Sequence, residues 1–89
     1  MNNLTGNWAR ISVTKADIAA GSRRSASKNA VARAVRRALG IKNVEANEST
    51  VTVVVKGQSY VASLPKKVNS LFVAKAVPLA FSIRFKVSQ

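Results

Sequence analysis

The sequence contains no cysteine and no histidine, and only three of its 89 residues are acidic. Without cysteine and histidine the chain has no disulfide, no thiolate nucleophile, no imidazole base and none of the usual zinc ligands. Its carboxylates, Asp17, Glu45 and Glu48, lie at predicted helix-capping and loop positions, which suit neither paired-carboxylate catalysis nor a hard cation. We therefore expect a protein that is not an enzyme and that uses no metal and no cofactor.

Basic residues dominate the charge, since 15 lysines and arginines give a net charge of +12 and a pI near 11.7. A charge of this size repels itself unless a polyanion stands beside it, and nucleic acid is the commonest such partner. No apolar run approaches the roughly 20 residues that cross a bilayer, and the first ten residues lack the apolar segment of a secretory signal. The composition predicts a soluble protein with no membrane contact and with nucleic acid as its partner. We favour DNA over RNA, but the sequence leaves both open.

The hydrophobic content of 47% is high enough to build a core, so the chain is not a disordered polycation. A chain of this length forms one domain, because two separate cores would each be too small to be stable. Residues 1–7 are polar and contain glycine, which predicts a flexible tail. Residues 8–89 then form a single α+β domain.

One strand and one short helix are predicted at the start of the domain. Apolar and polar residues alternate in the segment WARISVT, which is typical of a strand. Thr14 can cap a helix of about two turns, with Asp17 at its third position and Gly21 at its end. The carboxylate then lies at the positive end of the helix dipole.

A second, longer helix is predicted to begin after Ser25 or Ser27, either of which can cap it, and to end at Leu39 before Gly40. The helical period divides its side chains into two faces. The predicted buried face consists of Val31, Ala34, Val35, Ala38 and Leu39, and the opposite face of Asn29, Arg33, Arg36 and Arg37.

The second half of the chain predicts a short strand around Val44, then a hairpin that turns at Gly57. Pro65 suits the first turn of a third helix of about three turns, which Pro78 prevents from continuing. Its predicted apolar stripe is Val68, Leu71, Phe72 and Ala76. The last segment alternates strictly, with Phe81, Ile83, Phe85 and Val87 predicted inward and Ser82, Arg84, Lys86 and Ser88 outward.

These elements predict an α+β fold, a small two-layer sandwich in the order β-α-α-β-β-α-β. Its sheet is expected to be mainly antiparallel, because each strand has one polar face, with the helices packed on the other face.

Short patterns along the chain resemble those of small bacteriophage-encoded proteins of unassigned function. The first is T-x-x-D-I-x-x-G from Thr14 to Gly21, and the second is V-A-x-A-x-x-x-A-L from Val31 to Leu39. Three further patterns match: Y-x-x-x-L-P from Tyr60 to Pro65, V-x-x-x-F at Val68 and Phe72, and F-x-I/F at Phe81 and Ile83. The chain departs from the pattern at Lys66 and Lys67, where those proteins carry carboxylates, and at Asn29-Ala30, where many have Cys-Pro. The resemblance implies this fold order and a phage origin, hence location in the host cytoplasm or the virion, but no activity.

The strongest functional signal is the segment from Ser22 to Gly40, which contains six basic residues and no carboxylate. Guanidinium groups form fork-like hydrogen bonds to phosphate and stay charged, so a row of them fits a nucleic-acid backbone. The alternative is a solvated helix face. The predicted contacts are Arg23, Arg24, Lys28, Arg33, Arg36 and Arg37, with Lys66 and Lys67 as a second group whose alternative role is solubility.

Trp8 and Tyr60 are candidates for stacking on unpaired bases. Each also has a structural alternative, since Tyr60 can pack against the hairpin and Trp8 can fold over the sheet edge. Two classes of function stay open. The first is a non-enzymatic, phage-type nucleic-acid-binding protein that contacts phosphates with little sequence specificity. The second is a protein-binding phage accessory factor that inhibits a host protein, or a small virion component, with homodimerisation through an open sheet edge.

Overall fold

The computed structural model describes residues 8–22, 25–72 and 77–87. The predicted flexible tail, residues 1–7, lies outside this part of the chain. Strand β1 (Trp8–Val13) alternates exposed and buried side chains as predicted. Helix α1 (Lys15–Ala20) begins with the predicted capping box, in which Thr14 and Asp17 bond to each other's backbone N–H.

Gly21 ends α1, and its N–H donates to the carbonyl of Asp17 at 2.9 Å. A Cβ on this residue would lie 2.7 Å from the backbone nitrogen of Ala30. Glycine is therefore required here by the close approach of the two helices, and not by its backbone angles, which are extended.

Helix α2 (Ala30–Leu39) is capped by Asn29, so the prediction of Ser25 or Ser27 as the cap is wrong. Asn29 Oδ1 accepts from the N–H of Ala32 at 2.8 Å, while its Nδ2 donates to the carbonyl of Ala46 at 2.7 Å. The placement of Asn29 on the polar face is also wrong. It is buried because its amide joins the helix to a strand.

The two faces of α2 otherwise follow the helical period. Val31 and Val35 are fully buried, and Arg33 and Arg37 are exposed. Ala38, predicted on the buried face, is exposed instead. Gly40 ends the helix in the left-handed conformation, as expected.

Three strands follow α2: β2 (Asn43–Ala46), β3 (Thr50–Val55) and β4 (Gln58–Ser63). The predicted hairpin is confirmed, and its two-residue turn has positive φ at both Lys56 and Gly57.

The third helix is a 3₁₀ helix (Lys66–Phe72) and not the predicted three-turn α-helix. Val68 and Leu71 are buried three residues apart, which matches three residues per turn, and the N–H of Val68 bonds to the carbonyl of Pro65. Ala76, the last member of the predicted stripe, lies outside the described residues.

The last segment, in which apolar and polar residues alternate, forms two strands, β5 (Leu79–Arg84) and β6 (Lys86–Val87). The buried Phe85 separates them. The prediction that Val87 points inward is wrong, because it is 42% exposed. The chain leaves one strand partner at Phe85 and takes another beyond it.

The strands form two antiparallel sheets, β1-β5 and β2-β3-β4-β6, where a single sheet was expected. Buried side chains of both sheets, α2 and the 3₁₀ helix form one shared core. The α+β class and the antiparallel pairing are confirmed; β2 is the short strand predicted around Val44, and β6 is an additional strand. Since α2 packs against β1 and β2 from the core side, alternate strand residues stay exposed on the outer face of the sheets.

Candidate nucleic-acid interface

The predicted basic residues occupy different parts of the surface. Arg23 and Arg24 lie outside the described residues. Lys28 is exposed in the turn before α2, and Lys66 and Lys67 are exposed at the start of the 3₁₀ helix. Of the predicted basic residues that the structure describes, the three arginines of α2 come together, and they are joined by Lys42, which was not predicted.

These side chains line an open depression of about 400 Å³ at the C-terminal end of α2, which we call the arginine depression. Its lining consists of Asp17, Arg33, Arg36, Arg37, Gly40, Ile41 and Lys42. Four cationic residues and one acidic residue thus line it.

Asp17 and Arg37 form the best-defined contact in the depression. Arg37 Nη1 donates to Asp17 Oδ1 at 2.6 Å, and Arg37 Nη2 donates to Oδ2 at 2.7 Å and to the carbonyl of Ser12 at 2.8 Å. Asp17 Oδ2 also accepts from the N–H of Thr14 at 2.9 Å. The carboxylate is 1% exposed and the guanidinium side chain 52%, so one partner is buried while the other reaches solvent. The pair joins α1, α2 and β1.

Burial alone would raise the pKa of Asp17, but hydrogen bonds from Arg37 and Thr14, with the positive charge of Arg37, lower that pKa below its ordinary value. The hydrogen bond to Asp17 conversely raises the pKa of Arg37. Both groups are therefore charged at neutral pH, and neither is poised to exchange a proton.

Arg33 lies beside this pair, with its Nε 3.9 Å from Asp17 Oδ1. That separation is too long for a hydrogen bond, so Asp17 gives Arg33 electrostatic attraction and little positional constraint. Arg33 and Lys42 are both exposed. They are the cations of the depression that are least engaged in holding the described fold together.

Arg36 has a structural role at the edge of β2. Its Nε donates to the carbonyl of Lys42 at 3.2 Å, and its Nη2 donates to the carbonyl of Val44 at 3.3 Å. Two residues further along β2, the N–H of Ala46 bonds to the carbonyl of Ala26, and the carbonyl of Ala46 accepts from Asn29. The outward polar groups of β2 are thereby occupied, and this edge is closed to a further strand.

We expect Arg36→Ala to lower the free energy of unfolding by about 1–2 kcal/mol, because two hydrogen bonds to backbone carbonyls are lost. It should also increase self-association, since the Val44 carbonyl becomes available to another chain. Chemical denaturation and light scattering at several concentrations measure the two effects. Arg33→Ala is the matched control and should change neither; equal behaviour of the two variants would contradict the edge-closing role.

The two aromatic candidates differ in exposure. Tyr60 is half-buried and packs against the core, as its structural alternative proposed. Trp8 is 67% exposed, so most of its side chain is left uncovered by the fold. Together with Ser63, Arg84 and Lys86, Trp8 lines a second concavity of about 450 Å³, which we call the tryptophan cleft.

The described residues hold no cluster of three potential metal ligands. Among the same residues, no helix is both long enough and apolar enough to cross a membrane. Asp17 is buried and paired, and Glu45 and Glu48 are exposed on β2 and on the loop after it.

Sequence reasoning missed the partner of Arg37. The balancing carboxylate lies 20 residues earlier, outside the segment whose lack of acid suggested free arginines. The only sequence signal was that Asp17 is the single acidic residue before Glu45. Lys42 was missed because it lies beyond the end of α2, where the helical period gives no information.

No family model matches this chain, and searches of curated proteins and of solved structures also find no match.

Proposed function

We propose that this chain is a non-enzymatic nucleic-acid-binding protein that contacts the phosphate backbone with little sequence specificity. The observation that carries the proposal is the arginine depression, where Arg33, Arg36, Arg37 and Lys42 share one surface. The single carboxylate among them is buried and already bonded to Arg37. The cationic side chains thus outnumber the acidic one by three.

The contacts of Arg36 and Arg37 within the fold hold both side chains in place and leave some of their N–H groups able to bind phosphate. A guanidinium carries five N–H donors, of which Arg37 uses three and Arg36 two. The remaining N–H groups can donate to phosphate oxygens. Because both groups are held in place, less side-chain entropy is lost when they bind a ligand.

An extended polyanion suits this molecule better than a compact acidic ligand. The net charge is +12, and exposed lysines and arginines also occur on the 3₁₀ helix and on the outer face of the sheets. A nucleic acid bound in the depression can reach further cations as it continues across the surface. DNA remains our leading target, and with the phage resemblance we place the protein in the host cytoplasm or the virion.

The main rival is a protein-binding accessory factor or virion component that pairs by strand addition. The closed edge of β2 weighs against that mode at this position, because Arg36, Asn29 and Ala26 already occupy its polar groups. The open outer face, which includes Thr52, Ser82 and Arg84, remains a surface that a protein could use.

Fluorescence anisotropy with random-sequence DNA and RNA at several salt concentrations tests the proposal. For four phosphate contacts on duplex DNA, the logarithm of the association constant should fall with the logarithm of salt at a slope of about −3 to −4. Affinities for unrelated sequences should agree closely. Absence of binding at about 20 mM salt, where this electrostatic effect is strong, would refute the proposal.

A further inference from the structure

The tryptophan cleft presents a large aromatic side chain to solvent on the outer face of β1. Trp8 is far more exposed than a tryptophan that serves the core, and the neighbouring inward residue Ala9 packs against the core instead. An indole exposed to this extent contributes little to the stability of the fold, but it offers a flat surface on which a base can stack.

Cations surround this indole on the same face of the sheet. Arg84 lies directly opposite Trp8 in the antiparallel pair, and side chains in that relation are about 5 Å apart at Cβ. Arg10 is the next outward residue on β1, and Lys86 lines the cleft with Arg84. Trp8 therefore has three cationic neighbours.

None of the three acidic residues of the chain lines the cleft. Asp17 belongs to the arginine depression, and Glu45 is on β2, which β3 and β4 separate from β6. The cleft therefore combines an aromatic surface with uncompensated positive charge. That combination is complementary to a nucleotide whose base is unpaired, because the base can stack on the indole while the phosphate binds the cations.

We propose that the tryptophan cleft binds single-stranded nucleic acid, with a base stacked on Trp8 and the adjoining phosphates held by Arg84 and Lys86. This inference rests on the proposed nucleic-acid binding and specifies a ligand class for a second surface. The two sites lie on different layers, because the arginines of α2 face solvent away from the core and the cleft lies on the outer face of the sheets. A base paired in a duplex is not available to stack on Trp8, so only single strands should use the cleft.

Trp8 is the only tryptophan, so its fluorescence reports on the cleft directly. Titration with a thymidine oligonucleotide of about 12 nucleotides should quench the emission, whereas a duplex of equal length should bind with little quenching. Measured by fluorescence anisotropy of the labelled nucleic acid, Trp8→Ala should weaken binding of the single strand about tenfold, equivalent to about 1.4 kcal/mol, and leave duplex affinity within about twofold. Trp8→Phe should restore part of the loss, because it retains an aromatic ring.

Val77→Ala is the matched control, since Val77 is also an exposed apolar residue, at 56%, and lies outside the cleft. It should leave both affinities unchanged. If single strands bind without quenching, or if Trp8→Ala binds them as well as the parent does, the cleft is not the site, while duplex binding would still support the proposed function. If neither ligand binds at low salt, the proposed function fails, and this inference fails with it.

Discussion

Asp17→Asn is expected to lower the free energy of unfolding by about 3 kcal/mol, which is a large part of the stability of a small domain. The carboxylate is buried and accepts two charge-assisted hydrogen bonds from Arg37 as well as bonds from Thr14. An asparagine side chain has one acceptor oxygen and an NH₂ group that would face one of these donors. Urea denaturation monitored by circular dichroism measures the change.

Glu48→Gln is the matched control, because it makes the same change of charge at an exposed residue. It should shift the free energy of unfolding by no more than about 0.5 kcal/mol. A double-mutant cycle of Asp17→Asn with Arg37→Ala should show a clear coupling energy. Equal effects of Asp17→Asn and Glu48→Gln would contradict the structural role of the ion pair.

The ion pair of Asp17 and Arg37 also predicts that the free energy of unfolding depends on pH. The pKa of Asp17 is lowered in the folded protein, so its contribution is complete above the unfolded-state pKa of about 3.9 and is lost as the pH falls through the folded-state value. The difference in unfolding free energy between the parent and Asp17→Asn should therefore shrink below about pH 4.

Replacing both Arg33 and Lys42 by alanine is expected to weaken duplex DNA binding about 100-fold at about 50 mM salt. Each phosphate contact adds roughly 0.9 to the slope of log affinity against log salt. Between 1 M and 50 mM salt, one contact therefore changes the affinity about tenfold. Stability should change little, because both side chains are exposed and Arg33 only approaches Asp17 at 3.9 Å. Anisotropy titrations and denaturation curves on the same samples separate binding from folding.

The control for this variant removes two positive charges elsewhere, with Lys15→Ala on α1 and Lys56→Gly in the hairpin turn. Both lysines are exposed, and glycine suits the positive φ of residue 56. The control should lose much less affinity, because it lowers the net charge and leaves the depression intact. Equal losses would show that binding follows net charge and not this site.

Local patterns predicted most of the fold. The alternation in β1, the capping box of α1 and the turn at Lys56–Gly57 depend on residues close in sequence, so the sequence was sufficient for them. The capping bond of Asn29 to Ala32 is local, but the burial of Asn29 was missed because its amide donates to Ala46 on another element. The change of sheet at Phe85 was missed because apolar and polar residues keep alternating in the sequence while the strand partner changes.

The sequence predicted three of the four cations that line the arginine depression, but not their contacts. The helical period placed Arg33, Arg36 and Arg37 on the polar side of α2, yet it could not show that Arg37 bonds to Asp17 or that Arg36 closes the edge of β2. Both contacts join α2 to residues outside that helix. For these pairings the sequence offers one signal, that Asp17 is the only acidic residue before Glu45.

The most direct test of the nucleic-acid proposal is an NMR titration of the ¹⁵N-labelled protein with duplex DNA, following backbone amide shifts. Our account predicts the largest changes at Gly40, Ile41 and Lys42, which line the arginine depression, with dependence on salt. Largest changes at Lys66 and Lys67, with none from residue 40 to residue 42, would contradict it.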